Sequence, residues 1–280
     1  MKEGFIMHSI TVDQIKPRGI PAGEPDHILT LDIRTVRTIQ IGYQAETIYL
    51  YKAEDDKLTI KEYINGLSGS EYYAKATTNP FKATVRYGRR EEVNTDTCIE
   101  VFLPDSYDKE LQISSQYGSI ITDADWKLER FAAETTDGTI LLKTVDAPRI
   151  RLASATGIIQ IDHAIGFSDI HSVTGPVNLI AADGGGRLNT SSSDIFASYG
   201  SLNTILECES LNGGIYLTLP GEGGMIVDGI SKTGGINCAI EGLEIREKPG
   251  NVKVLSGRLG SKPFQNVRLT NINGVISLRA

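Results

Sequence analysis

A glycine-centred pattern returns at nearly constant spacing through the second half of the chain, and it constrains the fold more than any other feature. The pattern is Gly, any residue, then Ile or Val, and its glycines are Gly118, Gly138, Gly157, Gly175, Gly213, Gly234 and Gly274. Ser193 occupies the same position between Gly175 and Gly213. The intervals from 118 to 234 are 20, 19, 18, 18, 20 and 21 residues. A period of this length is typical of repeat architectures, in which each unit buries its apolar face by stacking on its neighbours.

Columns of aligned residues indicate which side chains of each repeat are buried. Two residues after the glycine position, every repeat has a β-branched apolar residue: Ile120, Ile140, Ile159, Val177, Ile195, Ile215, Ile236 and Ile276. Apolar residues also dominate the column two positions further on and the column five positions before the glycine. Because alternate side chains of a strand point to the same face, these columns predict two short strands per repeat, joined by tight turns.

The sequence therefore predicts an all-β fold, a single-stranded parallel β-solenoid with two short strands per coil of about 19 residues. We expect right-handed coiling and a distance of about 4.8 Å between coils. A helical repeat is excluded, because no segment shows a sustained period of 3.6 residues. The last interval, from 234 to 274, is 40 residues and predicts one degenerate coil around Val252, Val254, Gly257 and Leu259.

Hydroxyl side chains form a column three positions before the glycine. Its members are Ser115, Thr135, Ser154, Ser172, Thr190, Ser210 and Ser231, with Asn271 in the last repeat. We expect a structural ladder rather than a row of nucleophiles, because buried hydroxyl groups need hydrogen-bond partners. The glycines have two alternative explanations: either a sharp corner requires a positive φ, or the next coil leaves no room for a Cβ atom.

Residues 1–96 differ from the repeats in being rich in Tyr and poor in Gly, although short stretches such as Leu29, Leu31 and Ile33 alternate apolar and polar residues. We expect irregular, β-rich N-terminal coils over 1–96, which cap the solenoid because an open end would expose strand edges to aggregation. Residues 97–280 are expected to form the regular solenoid coils. No Pro- or Ser-rich linker separates the two parts, so 1–280 is treated as one continuous β domain.

A family resemblance follows from these motifs. Ile99–Pro104, then Leu111–Ile120, then successive Ser/Thr-x-x-Gly-x-Ile coils together resemble the bacterial putative-adhesin family of unknown function, which is related to head-GIN adhesin domains. The resemblance covers roughly residues 28–280 and is clearest over 97–240. It implies a noncatalytic β-solenoid domain with a structural or binding role at the bacterial cell envelope or in envelope stress. It supplies no catalytic residues to carry over.

Charge and hydropathy exclude several classes of protein. The 28 basic and 35 acidic residues give a net charge of −7 without a basic stripe, which argues against nucleic acid as a partner. No apolar run approaches the roughly 18 residues of a membrane-spanning helix. The sequence carries no signal or anchor, which indicates a cytoplasmic chain as written, and a cell-surface one if it is part of a longer protein. An unknown protein or glycan remains as the partner, and the oligomeric state is not determined.

Neither the cysteines nor the histidines predict a metal or cofactor site. Cys98, Cys208 and Cys238 are too few and too scattered for a disulfide framework or a metal site, so we expect buried, reduced thiols. His163 and His171 lack a third ligand at a suitable spacing. No glycine-rich stretch follows the phosphate-loop or dinucleotide fingerprint. We therefore expect no metal and no cofactor.

The alternative function is a carbohydrate-active enzyme, because polysaccharide lyases and hydrolases also use parallel β-helices. Six positions before the glycine, one column contains Asp169 and Glu207, which would lie two coils or about 9.6 Å apart. This is near the carboxylate separation of inverting glycosidases. However, Arg187 lies between them and Arg151 precedes Asp169, so the column predicts a ladder of ion pairs on a solvated face. We assign no catalytic residue and expect that the protein is not an enzyme.

A binding surface is the favoured prediction. Phe196 and Tyr216 stand three positions after the glycine on adjacent coils, flanked by Asn178 and Asn237, and would provide a stacking platform for a sugar ring or a protein partner. Alternatively, a loop or the N-terminal segment covers them. Trp126, the single tryptophan, either anchors the loop between two coils or is exposed for binding. The candidate binding residues are therefore Phe196, Tyr216, Asn178 and Trp126.

Overall fold

The computed structural model describes residues 23–90 and 97–280. Every regular element within these ranges is a β-strand, and they contain no helix long and apolar enough to cross a membrane. The strands are β1 (His27–Asp32), β2 (Thr38–Tyr43), β3 (Thr47–Ala53), β4 (Lys57–Tyr63), β5 (Lys75–Asn79), β6 (Lys82–Arg86), β7 (Cys98–Pro104), β8 (Glu110–Ser115), β9 (Ile120–Lys127), β10 (Arg130–Thr135), β11 (Ile140–Ser154), β12 (Ile159–Ser172), β13 (Val177–Thr190), β14 (Ile195–Ser210), β15 (Ile215–Thr218), β16 (Gly224–Ser231), β17 (Ile236–Cys238), β18 (Leu243–Lys248), β19 (Val252–Leu259), β20 (Phe264–Asn271) and β21 (Ile276–Arg279).

The predicted columns stack in register along a parallel ladder. Ile140 pairs with Ile159, Ile159 with Val177, and Val177 with Ile195. Ile195 pairs in turn with Ile215. The prediction of an all-β parallel solenoid is confirmed, because residues one period apart are strand neighbours along the stack.

Each coil has two limbs: the first limb follows the glycine position, and the second limb precedes the next one. In β11 to β14 the two limbs join into single strands of 14 to 16 residues. Register shifts between Asp146 and Arg149 and between Gly184 and Gly186 mark irregularities where the limbs meet. The predicted pair of short strands is therefore one interrupted strand in these coils.

The inward columns of both limbs form one continuous apolar core. Ile159 and Ile161 on the first limb and Ile170 and Leu188 on the second are 0 % exposed. Burying a side chain of this size contributes about 1.5–3 kcal/mol relative to leaving it exposed. Since a side chain in one coil is covered by the coils on either side, this stabilisation depends on stacking.

The column glycines are required by close contact between coils. A Cβ atom at Gly138 would lie 1.9 Å from the carbonyl oxygen of Gly118, and one at Gly157 would lie 1.8 Å from that of Gly138. Neither residue is among those with a positive φ. Of the two explanations predicted, lack of room for Cβ is correct and the positive φ is wrong.

The hydroxyl column forms the predicted structural ladder. The Thr135 hydroxyl donates to the carbonyl oxygen of Gly118 at 3.1 Å and accepts from the backbone N–H of Gly138 at 2.9 Å. Ser154 repeats both bonds one coil later, at 3.2 Å to Gly138 and 2.9 Å from Gly157. In these two coils the hydroxyl thus links a turn to the coil beneath it, whereas the Ser172 hydroxyl donates to the carbonyl oxygen of Gly175 in its own turn.

At the C-terminal end, the order of the stack differs from the order of the chain. Strands β20 and β21 lie between β14–β15 on one side and β16–β17 on the other. The degenerate coil predicted around Val252 and Leu259 is wrong: β18 and β19 form an antiparallel hairpin, and β19 pairs antiparallel with β16. The 40-residue interval thus contains a hairpin rather than a coil, and the last coil of the chain is the second-last layer of the stack.

The N-terminal end has the same organisation. Strand β2 lies between β6 and β8, and β3 lies between β7 and β9. Two antiparallel strands cover the outer layer, since β4 pairs with β7 and β5 pairs with β6. Strand β1 extends this cover by pairing antiparallel with β4. The first coil of the chain is therefore also an inner layer of the stack.

Candidate binding surfaces

Two stacked aromatic rings lie on the first limb near the C-terminal end. Register places Phe196 of β14 beside Tyr216 of β15, and their ring centroids are 4.7 Å apart with planes inclined by 8°. Both residues are half-buried. The Tyr216 ring lies over Gly214, where a Cβ atom would come within 2.5 Å of it. Partial burial raises the pKa of Tyr216, with a smaller contribution from Asp194. We name Phe196 and Tyr216 the aromatic pair.

The neighbours of the aromatic pair differ from those predicted. Asn178 lies beside Phe196 in register, but it is only 6 % exposed and offers little amide surface. On the other side, Tyr216 pairs with Ser277 of the intercalated β21. Asn237, the predicted neighbour, lies one strand further away and pairs with Ser277. The two rings are therefore not framed by exposed amides.

Trp126 does not belong to the predicted binding surface. It is 1 % exposed and stands beside Val145 in an inward column. Its indole N–H donates to the Thr122 hydroxyl at 2.9 Å, and the Lys52 ammonium lies 4.1 Å from the ring centroid. Of the two alternatives, the exposed position is wrong, and Trp126 anchors its segment inside the core.

The predicted charged column is continuous in the order of the stack. Six residues on neighbouring strands alternate there in the sign of their charge, and we name them the charged row: Arg151, Asp169, Arg187, Glu207, Arg268 and Asp228. In chain order Asp228 would follow Glu207, but the intercalated strand β20 places Arg268 between them. Insertion of the last coil thus separates the negative charges of Glu207 and Asp228.

The middle of the charged row disfavours the carboxylate chemistry of a glycosidase. Glu207 accepts a hydrogen bond from Arg187 at 2.9 Å and another from Arg268 at 3.1 Å. These bonds, led by the one from Arg187, lower the pKa of Glu207. A general acid needs the opposite shift, so that it holds its proton near neutral pH.

His163, Asp183 and Ser201 meet on neighbouring strands without forming a catalytic triad. His163 Nε2 lies 3.1 Å from Asp183 Oδ2, and the Ser201 hydroxyl donates to Asp183 Oδ1 at 2.7 Å. The hydrogen bond from Ser201, followed by that of His163, lowers the pKa of Asp183. Because the carboxylate separates the serine from the imidazole, His163 is not placed to accept the serine proton. The part of the chain that the structure describes has no group of three or more side chains suited to a metal ion.

A groove of about 720 Å³ opens on the second limb in the N-terminal half of the stack, where repeat analysis assigned no site. Four arginines line it, together with the apolar residue Phe167: Arg86, Arg130, Arg149 and Arg151. Two carboxylates, Glu134 and Asp169, also border it. We name it the arginine groove.

Strand register explains the hollow at the centre of the arginine groove. Arg149 and Arg151 point to the same face of β11, Arg130 and Ala132 point to the same face of β10, and Ala132 pairs with Arg151. Three long cationic side chains therefore surround one methyl group. Ala132 occupies the position that a charged or amide residue holds in most other coils, so the groove is a gap in the outer face of the stack.

Arg86 reaches the arginine groove from the outer N-terminal layer, across the intercalated strand β2. Its strand, β6, pairs with β2, which pairs with β8. The Arg86 guanidinium lies over Gly42, because a Cβ atom there would come within 2.1 Å of its Nη1, and Ser114 Oγ is 3.3 Å from the same point. Gly42 thus leaves the space that lets this side chain lie across the sheet.

Within the described chain, no hydrogen bond or ion pair engages the side chains of these four arginines. By contrast, Arg187 and Arg268 both form ion pairs with Glu207. Alignment of the repeats could have revealed Arg130, Arg149 and Arg151 around Ala132. It could not have revealed Arg86, whose place depends on the order of the stack.

Comparison with known proteins identifies the family. The model of the Toastrack DUF4097 family matches residues 36–278. The chain belongs to this family. The Toastrack match extends from the intercalated first coil to the intercalated last coil, so it includes both the aromatic pair and the arginine groove. None of the curated proteins compared with the chain matches it.

Solved structures similar to this Toastrack chain share its fold at low sequence identity. A putative adhesin from Parabacteroides merdae has a TM-score of 0.55 at 12% identity, covering 92% of this chain and 98% of its own. One from Parabacteroides distasonis has a TM-score of 0.53 at 10% identity, with 90% and 96% covered. One from Bacteroides fragilis has a TM-score of 0.50 at 12% identity, with 90% and 96% covered. The family model and these structures together show that the chain has the Toastrack fold.

Proposed function

We propose that this Toastrack chain is a noncatalytic, adhesin-like domain with a binding role at the bacterial cell envelope, and that the aromatic pair is its contact surface. The observation that most directly supports this proposal is the geometry of Phe196 and Tyr216, two half-buried rings whose centroids lie 4.7 Å apart and whose planes are inclined by 8°. The description of the similar structures as putative adhesins supports the same role.

The aromatic pair suits recognition because its shape is fixed before binding. Both residues stand on paired strands of one parallel ladder, so little backbone freedom is lost on contact. Because the two rings are stacked on each other, they present their edges and outer faces to a partner, and the tyrosine adds a polar group at one end. A sugar ring presents a complementary apolar face, and so does an aromatic side chain of a protein partner. A glycan or a protein of the envelope is thus the partner we propose.

A glycan array and a pull-down from bacterial envelope extract test this proposal. We expect the wild-type protein to retain a glycan or a protein that the Phe196→Ala/Tyr216→Ala variant does not retain. Phe81→Ala is the matched control, because it removes an aromatic ring that is 76% exposed and lies between β5 and β6. Identical profiles for the wild type and the double variant would remove the aromatic pair from the proposal, as would an equal loss in the control.

A further inference from the structure

The arginine groove has an excess of positive charge, because four guanidinium groups and only two carboxylates line it. Arg130 and Arg149 directly precede the first paired residues of β10 and β11, Phe131 and Ile150, and both line the groove, where like charges repel each other. Arg151 follows on the same face of β11. None of these guanidinium groups has an ion-pair partner among the residues that the structure describes, in a protein whose net charge is −7. This arrangement is unfavourable for the empty protein and becomes favourable when an anion enters.

We propose that the arginine groove binds an acidic glycan, a polysaccharide that carries carboxylates on its sugar rings. The planar guanidinium group donates two parallel hydrogen bonds to a carboxylate, which makes arginine the favoured residue for this recognition. The hollow above Ala132 gives a carboxylate access to the arginines on both β10 and β11. The site lies on the second limb over β6 to β12, whereas the aromatic pair lies on the first limb of β14 and β15, so the two proposals are independent.

The other lining groups favour a glycan over other anions. Glu134 and Asp169 border the groove and can accept hydrogen bonds from the hydroxyl groups that every sugar ring of a glycan carries. Phe167, half-buried beside Arg149 in register, offers a ring on which a sugar can stack.

An acidic peptide is disfavoured by the position of the groove in the sheet. Its central strands are paired on both sides, as β10 is with β8 and β11. An extended peptide would therefore find no free strand edge to which it could add as a further strand. The groove could therefore bind only the side chains of a peptide, whereas a glycan needs no strand edge because it binds through its carboxylate and hydroxyl groups.

Calorimetric titration of the full chain with three probes tests the inference. The probes are oligogalacturonate, its neutral methyl ester with the same sugar backbone, and poly-L-glutamate with the same charge on a peptide backbone. We expect oligogalacturonate to bind, more weakly as salt is added, and the other two not to bind. Equal binding of the methyl ester would overturn the inference, because recognition would not depend on the carboxylates. Poly-L-glutamate binding as tightly as oligogalacturonate, or no binding of oligogalacturonate, would overturn it too.

Variants locate the binding. Arg149→Gln/Arg151→Gln should weaken oligogalacturonate binding about a hundredfold, since a hydrogen bond to a charged group corresponds to about tenfold. Arg34→Gln/Arg246→Gln is the matched control, because it removes the same charge from two exposed arginines outside the groove and should leave affinity unchanged. Ala132→Leu fills the hollow without changing any charge and should also weaken binding. An equal loss in the control, or full affinity in both groove variants, would refute the site.

Unfolding curves of the same variants separate binding from folding. Arg149→Gln/Arg151→Gln should have a melting temperature no lower than that of the wild type, because it relieves repulsion between like charges. Phe196→Ala/Tyr216→Ala should bind oligogalacturonate as the wild type does. Loss of binding in that variant would show one shared surface and overturn the independence of the arginine groove.

Discussion

At the N-terminal end of the stack, β2 and β3 lie between the layer of β6–β7 and the layer of β8–β9. At the C-terminal end, β20 and β21 lie between β14–β15 and β16–β17. In both places a terminal segment of the chain has become an inner layer, and an internal segment forms the outer one. Antiparallel strands then pair with outer-layer strands at each end, β4 and β5 at one and β19 at the other. Both arrangements reduce the unpaired edge that a simple solenoid would present.

The two ends differ in the groups that hold them. At the N-terminal end two carboxylates are buried, Glu46 at 1 % exposure and Glu62 at 0 %. Arg90 lies 2.6 Å from the first and 3.4 Å from the second, and His27 Nδ1 lies 2.8 Å from Glu62. At the C-terminal end, Arg268 and Glu207 form an ion pair that is open to solvent. The same topology is thus combined with a buried ionic network at one end and a solvated one at the other.

The largest effect expected is from removal of an intercalated layer. Deletion of residues 262–280 removes four buried apolar side chains, Val267, Leu269, Ile276 and Leu278. Burial of each contributes about 1.5–3 kcal/mol, so the stabilisation lost is comparable to the free energy of unfolding of a whole domain, about 5–15 kcal/mol. The deletion also exposes the edges of β14 and β15. We expect aggregation or a loss of cooperative unfolding, measured by light scattering and urea titration followed by circular dichroism.

Replacement of the C-terminal hairpin provides the control for that deletion. A short Gly/Ser linker in place of residues 240–262 retains β20 and β21 but removes β18 and β19. We expect a folded protein with lower stability, because β18 is largely exposed and Leu255 of β19 is buried. If both deletions had the same effect, intercalation would not be what stabilises this end.

Loss of the cation at the N-terminal end should have the next largest effect. Arg90→Leu leaves Glu46 and Glu62 buried without their shared cation, and breaking a buried ion pair in this way costs about 3–5 kcal/mol. Arg268→Leu makes the same change at the C-terminal end, in an exposed pair worth about 0–1 kcal/mol. Urea unfolding of both variants measures the free energies, and equal losses would contradict the difference between the ends.

The smallest effect concerns acid stability. Arg187, and then Arg268, lower the pKa of Glu207 from its ordinary value of 4.5. Because the pKa of Glu207 is lower in the folded protein than its ordinary value, the ionised carboxylate stabilises the fold above pH 4.5, and this stabilisation is lost as the pH falls below 4.5. At the N-terminal end, Arg34 lowers the pKa of Asp32 to about 2 from 3.8. Because Arg34 is only two residues away, this pair can persist in the unfolded chain and contributes less to folding.

Melting temperatures at a series of pH values test this contrast. Below pH 4.5, Glu207→Gln should lose less stability on acidification than the wild type does. Asp32→Asn should have a smaller effect of the same kind between pH 3.8 and about 2. A larger effect of Asp32→Asn would mean that the local pair, rather than the pairs between coils, contributes the acid-sensitive stability.

Features confined to one period could be predicted from the sequence. The β-branched column from Ile120 onward, the hydroxyl of Thr135 and the glycine at 138 all interact with the coil directly before or after them. A residue and its equivalent one period away are neighbours in such a fold. The same analysis placed Phe196 beside Tyr216, and the 4.7 Å stack of their rings agrees with it.

Features that depend on the order of layers could not be predicted in this way. The repeat around Gly274 fits on any coil, since its Asn271 and Ile276 are compatible with each neighbour. One signal was available in the charged row, where Arg268 restores alternation only if it stands between Glu207 and Asp228. Burial of Trp126 was equally undetermined, because periodicity does not show which face a segment between two coils turns toward the core.

The sequence by itself determined the unit of this protein: a coil of about 19 residues with its inward columns, its hydroxyl ladder and its glycines. These follow from contacts between adjacent periods, and the residues at a given position are therefore alike. The tertiary structure alone decided how the ends close and where charge collects. Intercalation places Gly42 beneath Arg86 and Arg268 beside Glu207, pairs that lie 44 and 61 residues apart in the chain. The period does not specify such long-range pairings, because an intercalated layer is stabilised by whichever two layers pack against it, and these are distant in the chain.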